Sequence, residues 1–241
     1  MKKFYSISQY PGKTGKYFYS SFFNFYQLDS IYIPLGSENF DDTFSEILDE
    51  ASGISISMPF KQKVISYLNE KDQNVSEYNS CNTVKIDNKK LIGYNYDLEG
   101  VVSLSKYLEP NQSISILGNG CMGKMFAKYL TEYKPNIFSR SLNNWNLRHG
   151  NFDVIINCTS LGTSSTESPL DEISEKTKVI FDLSLKDNNL KKMCFEKTIQ
   201  YIEGIEFYKA QFLKQFSIYT DIDPDSEYFD FIYQKMNQQL P

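Results

Sequence analysis

The order of apolar and polar stretches along the second half of the chain predicts strands that alternate with helices. An apolar run at 113–117 is followed by a glycine turn and then by apolar residues at helical spacing, which indicates strand, turn and helix. Further strands are predicted at "NIFSRS", "FDVIINCTS" (152–160) and "TKVIFDLSL" (177–185). Strands separated by helical stretches favour a doubly wound α/β sheet.

The first half shows the same alternation. Strands are predicted at "KFYSIS", "SIYIPLG" and "SISM", and helices at "YFYSSFFNFYQL", "DDTFSEILDEAS" and "KQKVISYLNE". The segment "CNTVKIDNKKLIGYNYD" (81–97) is expected to form two strands joined by an Asp-Asn turn. A long helix predicted over "LEGVVSLSKYLEP" (98–110) leads into the second half, so a domain boundary is expected near residue 98.

Composition and charge exclude several classes of protein. The 241 residues are 41% apolar, which can supply a core, and the net charge of −5 argues against a nucleic-acid partner. We expect no signal peptide, because polar residues and Pro11 interrupt the segment after Met1-Lys2-Lys3. We expect no membrane segment, because no stretch approaches the roughly 20 apolar residues that a spanning helix needs. The four cysteines include no CxxC pair, so neither a metal site nor a disulfide framework is expected. A cytoplasmic protein with reduced thiols is the expectation.

The single histidine restricts the catalytic chemistry. His149 lies in the polar connector "NLRHGN", where no plausible partner is near in sequence. Ser-His-Asp and Cys-His catalysis would both depend on this residue, so neither is expected. Lys, Asp, Glu or Tyr side chains are the expected acids and bases.

A glycine loop predicts a dinucleotide site. Gly118, Gly120 and Gly123 form G-x-G-x-x-G between a predicted strand and a predicted helix. Glycine permits the tight turn and the close approach of a pyrophosphate, and the helix N-terminus offers free N–H groups. The alternative is a glycine turn with a purely structural role.

The end of the next predicted strand favours NADP over NAD. An NAD site usually has an acidic residue there for the ribose hydroxyls, whereas this chain has Ser139, Arg140 and Ser141. An arginine flanked by hydroxyls suits a 2′-phosphate. The alternative is that Arg140 is simply solvated.

Three polar residues in the first half follow strands or turns and are candidates for the chemistry. A nicotinamide enzyme that reduces a ketone needs a proton donor beside the carbonyl and groups that hold the substrate. Lys61 follows "SMPF", Asn82 lies in "SCNTV" and Asp97 ends "GYNYD". Each could equally be an ordinary surface residue, but their joint position at chain turns favours a site.

Five segments resemble motifs of the shikimate dehydrogenase family, in the family's order and across essentially the whole chain. "SISMPFK" resembles N-V-T-x-P-x-K, "NSCNTV" resembles G-A-V-N-T, and "IGYNYD" resembles G-x-N-T-D. "IINCTSLG" resembles I-N-A-T-x-x-G, and "GIEFYKAQF" resembles the closing G-x-x-M-L-x-x-Q-A.

The resemblance implies an α/β protein with an N-terminal substrate domain, a Rossmann-type NADP domain and a cleft between them. We expect residues 1–98 plus about 211–241 to form the substrate-binding domain, and residues 99–210 to form the dinucleotide-binding domain.

The resemblance also implies roles for individual residues. Lys61 and Asp97 match the family's catalytic pair, in which the lysine transfers the proton and the aspartate orients it. Three residues match positions that bind substrate: Ser57, Asn82 and Gln211. Gly204 and Thr159 match positions near the nicotinamide.

Several positions depart from the family pattern. The family's carboxylate clamp H-S-K-S-P aligns with "KTGKY", which places Thr14 and Lys16 at the two serine positions. Lys16 either holds a carboxylate as a point charge or points to water. The family's tyrosine after the fourth strand falls near Leu185, and a second basic residue that contacts the cofactor falls near Asn144. The short connector "LNNWNLRHGN" cannot hold the helix and strand that family members have there.

The expected function is therefore NADP-dependent, reversible reduction of 3-dehydroshikimate to shikimate, by a monomer or homodimer that acts on a small cyclic hydroxy acid. Three alternatives stay open. The protein could be a paralogue that acts on quinate, an amino-shikimate or another cyclic hydroxy acid, or a binding or regulatory member of the family with weak catalysis. The third alternative is a folate-type methylene dehydrogenase, which shares the general architecture but is disfavoured by the five matched segments.

Overall fold

The computed structural model describes residues 1–162, 167–185 and 188–238. These residues form two compact units: those within 1–96 and 212–238 form the first, and those within 97–211 form the second.

The first unit contains a mixed sheet in the order β2-β1-β3-β5-β6-β4. Strands β1, β2 and β3 are parallel, and β5 runs antiparallel to both β3 and β6. The elements are β1 (Lys2–Ser8), α1 (Thr14–Phe25), β2 (Ser30–Gly36), α2 (Phe40–Ile47), β3 (Ala51–Ile56), β4 (Glu70–Lys71), α3 (Gln73–Tyr78), β5 (Thr83–Asp87) and β6 (Lys90–Tyr94).

Alternation along β3 divides its side chains between two different cores. Ile54 and Ile56 belong to an apolar cluster with Phe40, Phe44 and other side chains of α2 and its surroundings. Gly53 and Ser55 face the opposite way, because a Cβ at Gly53 would come within 2.6 Å of the Tyr219 ring. The sheet is therefore covered on both faces, as its largely apolar strands require.

The second face is built from aromatic rings. Rings of α1 pack against rings of the C-terminal helices, and Phe18 stacks on Phe229 with centroids 4.3 Å apart. Phe22 meets Phe212 and Phe216 edge to face at 4.9 and 5.3 Å. These fully buried rings attach the C-terminal helices to the first unit, since each large ring buries much apolar area.

The second unit contains a five-stranded, wholly parallel sheet in the order β11-β10-β9-β7-β8. The elements that follow β6 are α4 (Asp97–Ser105), β7 (Ile114–Leu117), α5 (Cys121–Tyr129), β8 (Asn136–Phe138), β9 (Val154–Asn157), β10 (Val179–Asp182), α6 (Asn189–Glu196), β11 (Gln200–Glu203), α7 (Gly204–Thr220) and α8 (Ser226–Gln238). Helix α8 and the part of α7 from Phe212 onward belong to the first unit.

The α/β class and the parallel sheet are as predicted, whereas several boundaries differ. The predicted helix over 61–70 is a short 3-10 segment, Lys63–Tyr67, followed by β4. Val64 and Ile65 are β-branched and disfavour a long helix, and pairing of Glu70 and Lys71 with β6 extends the chain instead. Helix α4 ends at Ser105, which is earlier than predicted.

The hairpin in the first unit is confirmed with its turn shifted by one residue. Asp87 pairs with Lys90, so the two-residue loop is Asn88-Lys89 rather than Asp-Asn. Both loop residues have positive φ values, 48° and 66°, which is the geometry that matches the twist of a two-residue hairpin.

The connector between β8 and β9 is short, as predicted. It holds two single-turn 3-10 segments, Arg140–Leu142 and Trp145–Leu147. After β8 the chain therefore passes directly to β9, which pairs with the opposite edge of β7.

Candidate active site

In the second unit, the predicted cofactor residues follow the carboxyl ends of parallel strands and therefore share one edge of the sheet. Gly118 follows β7, Ser139 follows β8 and Thr159 follows β9. Because β7 lies between β8 and β9, the strand order reverses at this point. Ligands of open α/β sheets bind outside the carboxyl ends at such a switch point.

The glycine loop has the geometry of a phosphate cradle. Gly118 has a φ of +106°, and a Cβ at Gly123 would lie 2.0 Å from the carbonyl oxygen of Gly118. These two positions therefore need glycine for the fold itself. A Cβ at Gly120 would meet no described atom within 4 Å, and Gly120 is the N-cap of α5. The loop thus leaves space beside the uncapped N–H groups of a helix.

The loop after β8 is held in shape by side chains. The Ser139 hydroxyl accepts from the Leu142 N–H at 3.1 Å and lies 2.9 Å from the Ser141 hydroxyl. Asn144 accepts from the Ser139 N–H at 2.9 Å and donates to the Ile137 carbonyl at 2.8 Å. Asn144, at the position where the family has a basic residue, thus closes the loop. The Arg140 side chain is exposed at its tip.

A buried polar network supports Thr159. Its N–H and hydroxyl both donate to Asn157 Oδ1, at 3.1 and 2.7 Å. The Asn157 amide in turn donates to Asp182 Oδ1 at 2.9 Å, and Tyr201 donates to Asp182 Oδ2 at 2.8 Å. Burial and the nearby Asp182 charge raise the pKa of the Cys158 thiol well above its ordinary value, so this cysteine stays protonated at neutral pH.

Gly204 begins α7 directly after β11. A Cβ there would lie 2.6 Å from the carbonyl oxygen of Leu183 and 2.7 Å from that of Ser184. The residue is therefore glycine because the start of the helix packs against the backbone that follows β10.

In the first unit, the predicted substrate residues also gather at one edge of the sheet. Ser57 follows the carboxyl end of β3, and Asn82 immediately precedes β5, in which Thr83 lies opposite Ser55. The Lys61 carbonyl accepts from the Cys81 N–H at 2.9 Å. This bond places the backbone of half-buried Lys61 beside Asn82.

Asn82 is held by both its backbone and its side chain. Its carbonyl accepts from the Ile56 N–H at 2.8 Å, and its N–H donates to the Tyr94 carbonyl at 3.1 Å. Its Oδ1 accepts from the Thr83 hydroxyl at 2.7 Å and from the Tyr96 N–H at 3.0 Å. With only 1% of its surface exposed, Asn82 is a pre-positioned carboxamide rather than a surface residue.

Thr14 and Lys16 lie in the first turn of α1, which follows the carboxyl end of β1. That turn has no acidic residue and its N-cap residue makes no side-chain cap. Thr14 is half-buried and Lys16 is exposed. The free N–H groups and the lysine favour an anion at this helix end.

The last two predicted residues lie on helices. Asp97 is the first residue of α4, is almost fully buried and directly follows Tyr96, whose N–H binds Asn82. Gln211 is half-buried on α7.

His149 has a partner from outside its own connector. Its Nε2 lies 3.4 Å from Asp171, which also pairs with Arg148 at 3.1 Å. A carboxylate distant in sequence supplied this contact, so the connector alone could not reveal it.

All four cysteines are free. Within the described ranges, no cluster of three or more His, Cys, Asp or Glu side chains is arranged to hold a metal, and no helix has the length and apolarity to cross a membrane.

Sequence reasoning missed the residues that hold the site residues in place. Asn157, Asp182, Thr83 and Asn144 each accept or donate a hydrogen bond to a predicted site residue or its supporting segment. Thr83 and Asn157 lie inside segments that resemble the family's motifs, so the resemblance could have indicated them. Asp182 is a buried carboxylate at the end of an apolar strand, a second signal.

Comparison with known proteins identifies the family. The model of the shikimate dehydrogenase substrate binding domain matches residues 17–84. A NADP(+) shikimate dehydrogenase of Staphylococcus haemolyticus is 30% identical, over 82% of this chain and 82% of that protein. One from Methanococcus maripaludis is 33% identical, over 72% of this chain and 74% of that protein.

The fold agrees with this relationship. A solved chorismate mutase/shikimate 5-dehydrogenase fusion protein from Clostridium acetobutylicum superposes with a TM-score of 0.87 at 21% identity, over 100% of this chain and 98% of that one. The extent of the sequence identity and the match to the family's substrate domain show that this protein belongs to the shikimate dehydrogenase family.

Proposed function

We propose that the protein is an NADP-dependent oxidoreductase that interconverts 3-dehydroshikimate and shikimate. The observation that carries the proposal, beside the family membership, is the position of Lys61. Its backbone is hydrogen-bonded to Cys81, next to the buried Asn82, at the edge of the sheet where Ser57 also lies. The backbone of a lysine thus lies next to a pre-positioned carboxamide, which supports a site that combines a proton donor with a substrate-binding group, as reduction of a ketone requires.

The residues of the second unit fit NADP. Gly118, Gly120 and Gly123 would take the pyrophosphate, because the loop leaves room at Gly120 and the α5 N-terminus faces it. Ser139, Arg140 and Ser141 would take the 2′-phosphate, while Thr159 and Gly204 would lie near the nicotinamide ring. When bound, the cofactor supplies or accepts the hydride.

The first unit would hold the substrate. Asn82 and Ser57 would bind ring hydroxyls, as would Gln211, the last residue of the second unit. Thr14 and Lys16 would bind the carboxylate at the N-terminus of α1, where the helix dipole adds to the lysine charge. Each group presents a hydrogen-bond donor to an oxygen of a small polyhydroxylated acid.

The chemistry of this chain is proton transfer. Lys61 donates a proton to the reacting oxygen during reduction and takes it back during oxidation. Asp97 orients the ammonium group and shares its hydrogen-bond network. The charge on Lys61 also stabilises the oxyanion that forms as the ketone is reduced.

The cellular compartment and the oligomeric state of the protein are also part of this proposal. We place the enzyme in the cytoplasm, as a monomer or homodimer, since four free cysteines are typical of a reducing compartment. Light scattering of the purified protein would measure its mass.

The direct test is NADP⁺ reduction, followed at 340 nm, with shikimate and in parallel with quinate and with NAD⁺. We expect shikimate with NADP⁺ to give the highest kcat/KM. Turnover of quinate alone, or none with either acid, would contradict the proposed substrate.

Replacing the proton-transfer group should abolish turnover. For Lys61→Ala we expect kcat to fall by about 10²–10⁴, the range of general acid–base catalysis, with NADPH affinity unchanged. Lys63→Ala is the matched control, because the Lys63 ammonium pairs with exposed Asp41 and lies over the Phe40 ring, 5.9 Å from its centre, and none of these is a predicted site residue. This variant should keep kcat within about twofold. An active Lys61→Ala variant would remove the mechanism.

Arg140→Ala should weaken NADPH more than NADH, because only NADPH carries a 2′-phosphate. The expected loss is about 1–3 kcal/mol of NADPH binding, the scale of a charge-assisted hydrogen bond, measured by calorimetry with both cofactors. Exposed Lys192 on α6 provides the control for a general loss of charge. Equal losses for the two cofactors would show that Arg140 does not read the phosphate.

Lys16→Ala should raise the KM for shikimate about 5- to 100-fold if the side chain holds the carboxylate. Lys13→Ala removes a neighbouring exposed charge at the same helix end and should change this KM little. Similar effects of the two variants would indicate general electrostatics, and an unchanged KM would mean that Lys16 faces solvent.

Two glycines of the loop should respond differently to alanine. Gly123→Ala should lower the melting temperature, since its Cβ would overlap the Gly118 carbonyl. Gly120→Ala should leave the melting temperature within about 2 °C and weaken NADPH binding, since the methyl group would occupy the space for the pyrophosphate. Calorimetry and thermal unfolding of both variants give the answer, and tight NADPH binding by Gly120→Ala would contradict the site.

A further inference from the structure

Gln215 is a buried polar residue outside the five segments that resemble the family. It lies on α7 among the aromatic rings of the first unit and is 4% exposed. Its Oε1 accepts from the Tyr19 hydroxyl at 2.8 Å and from the Ser55 hydroxyl at 3.1 Å. Its Nε2 donates to the Thr83 hydroxyl at 2.7 Å and to the Asn82 carbonyl at 3.2 Å. Both ends of this carboxamide are therefore occupied.

These bonds have only one possible direction. The Asn82 carbonyl can only accept, which fixes Nε2 of Gln215 on the side of Asn82 and Thr83 and leaves Oε1 to accept from Tyr19 and Ser55. Because an amide nitrogen can only donate, the Thr83 oxygen must accept from Gln215. The single hydroxyl proton of Thr83 is then directed to its other neighbour, Asn82 Oδ1, at 2.7 Å.

The chain of bonds ends by orienting Asn82. Oδ1 of Asn82 also accepts from the Tyr96 N–H at 3.0 Å, so a flipped carboxamide would set its Nδ2 against an N–H that can only donate, and would remove the acceptor of the Thr83 hydroxyl proton. Flipping would leave buried polar groups unsatisfied, which is costly where Asn82 and Thr83 have almost no access to water. The Nδ2 donors of Asn82 consequently point away from Thr83 and Tyr96.

We propose that Gln215 and Thr83 are positioning residues, which fix the Asn82 carboxamide with its N–H donors toward a hydroxyl oxygen of the substrate. This inference rests on the proposed function, in which Asn82 binds substrate. Gln215 acts through Thr83 and touches no substrate itself. Its effect is on the affinity for the cyclic hydroxy acid, not on the cofactor or on proton transfer by Lys61.

The test compares steady-state kinetics and thermal unfolding of four variants. Thr83→Val keeps the shape of the side chain and removes the hydroxyl, and we expect the KM for shikimate to rise about tenfold, the loss of one buried hydrogen bond. Gln215→Met removes the donor to Thr83 and should also raise the KM for shikimate. The KM for NADP⁺ should not change. Thr83→Ser restores the hydroxyl and should return the KM for shikimate to near the wild-type value.

Ser55→Ala is the matched control, because it also removes a buried hydrogen bond to Gln215 but leaves the bond from Gln215 to Thr83. If Ser55→Ala loses as much stability and raises the KM for shikimate as much as Thr83→Val, the network is only structural and the inference is wrong. An unchanged KM in both Thr83→Val and Gln215→Met overturns it as well.

Failure of the proposed function itself is recognised separately, by wild-type protein that turns over no shikimate. The orientation of Asn82 is then read from its side-chain NH₂ cross-peak in ¹⁵N NMR spectra, assigned with Asn82→Asp. A peak that shifts or exchanges faster in Thr83→Val but not in Ser55→Ala supports the inference, and a peak unchanged in Thr83→Val overturns it.

Discussion

The arrangement of the site depends on strand pairing, which decides the strand ends that share an edge of a sheet. In the second unit the strands are parallel, so their carboxyl ends bring Gly118, Ser139 and Thr159 to one edge, although they lie in separate parts of the chain. In the first unit β5 runs antiparallel to β3, so the segment after β3 lies beside the start of β5, and the backbone of Lys61 lies beside Asn82. Backbone hydrogen bonding between strands, rather than contacts among the polar side chains, is what assembles the candidate site.

The aromatic face of the first unit gives this edge its rigidity. Stacked and edge-to-face rings attach the C-terminal helices to α1, and Gln215 enters the same dry environment. An amide buried there is tolerated only when its donors and acceptors are satisfied. The need to satisfy Gln215 ties Tyr19, Ser55 and Thr83 into one network that reaches Asn82.

The departures from the family pattern fall at the margins of the site. Lys16 lies where the resemblance implies a serine of the proposed carboxylate clamp, and Asn144 lies near the position where it implies a basic residue of the proposed cofactor loop. Asn144 instead bridges Ser139 and the Ile137 carbonyl, so the loop keeps its shape while it loses a charge. The shortened connector after β8 removes a strand and its helix without disturbing the switch point between β7 and β9.

Apolar periodicity, glycine spacing and short motifs are local properties of the chain, so the α/β class, the glycine loop and the family could be predicted without the fold. Prediction from the sequence was wrong where tertiary pairing overrode local preference, as in the 61–70 segment that β6 draws into an extended strand. The sequence-based prediction also missed the contact between His149 and Asp171 and the hydrogen bond from Gln215 to the Asn82 carbonyl, since both join residues far apart in sequence. Tertiary structure decided these contacts, because hydrogen bonding of a buried polar group depends on neighbours that only the folded chain supplies.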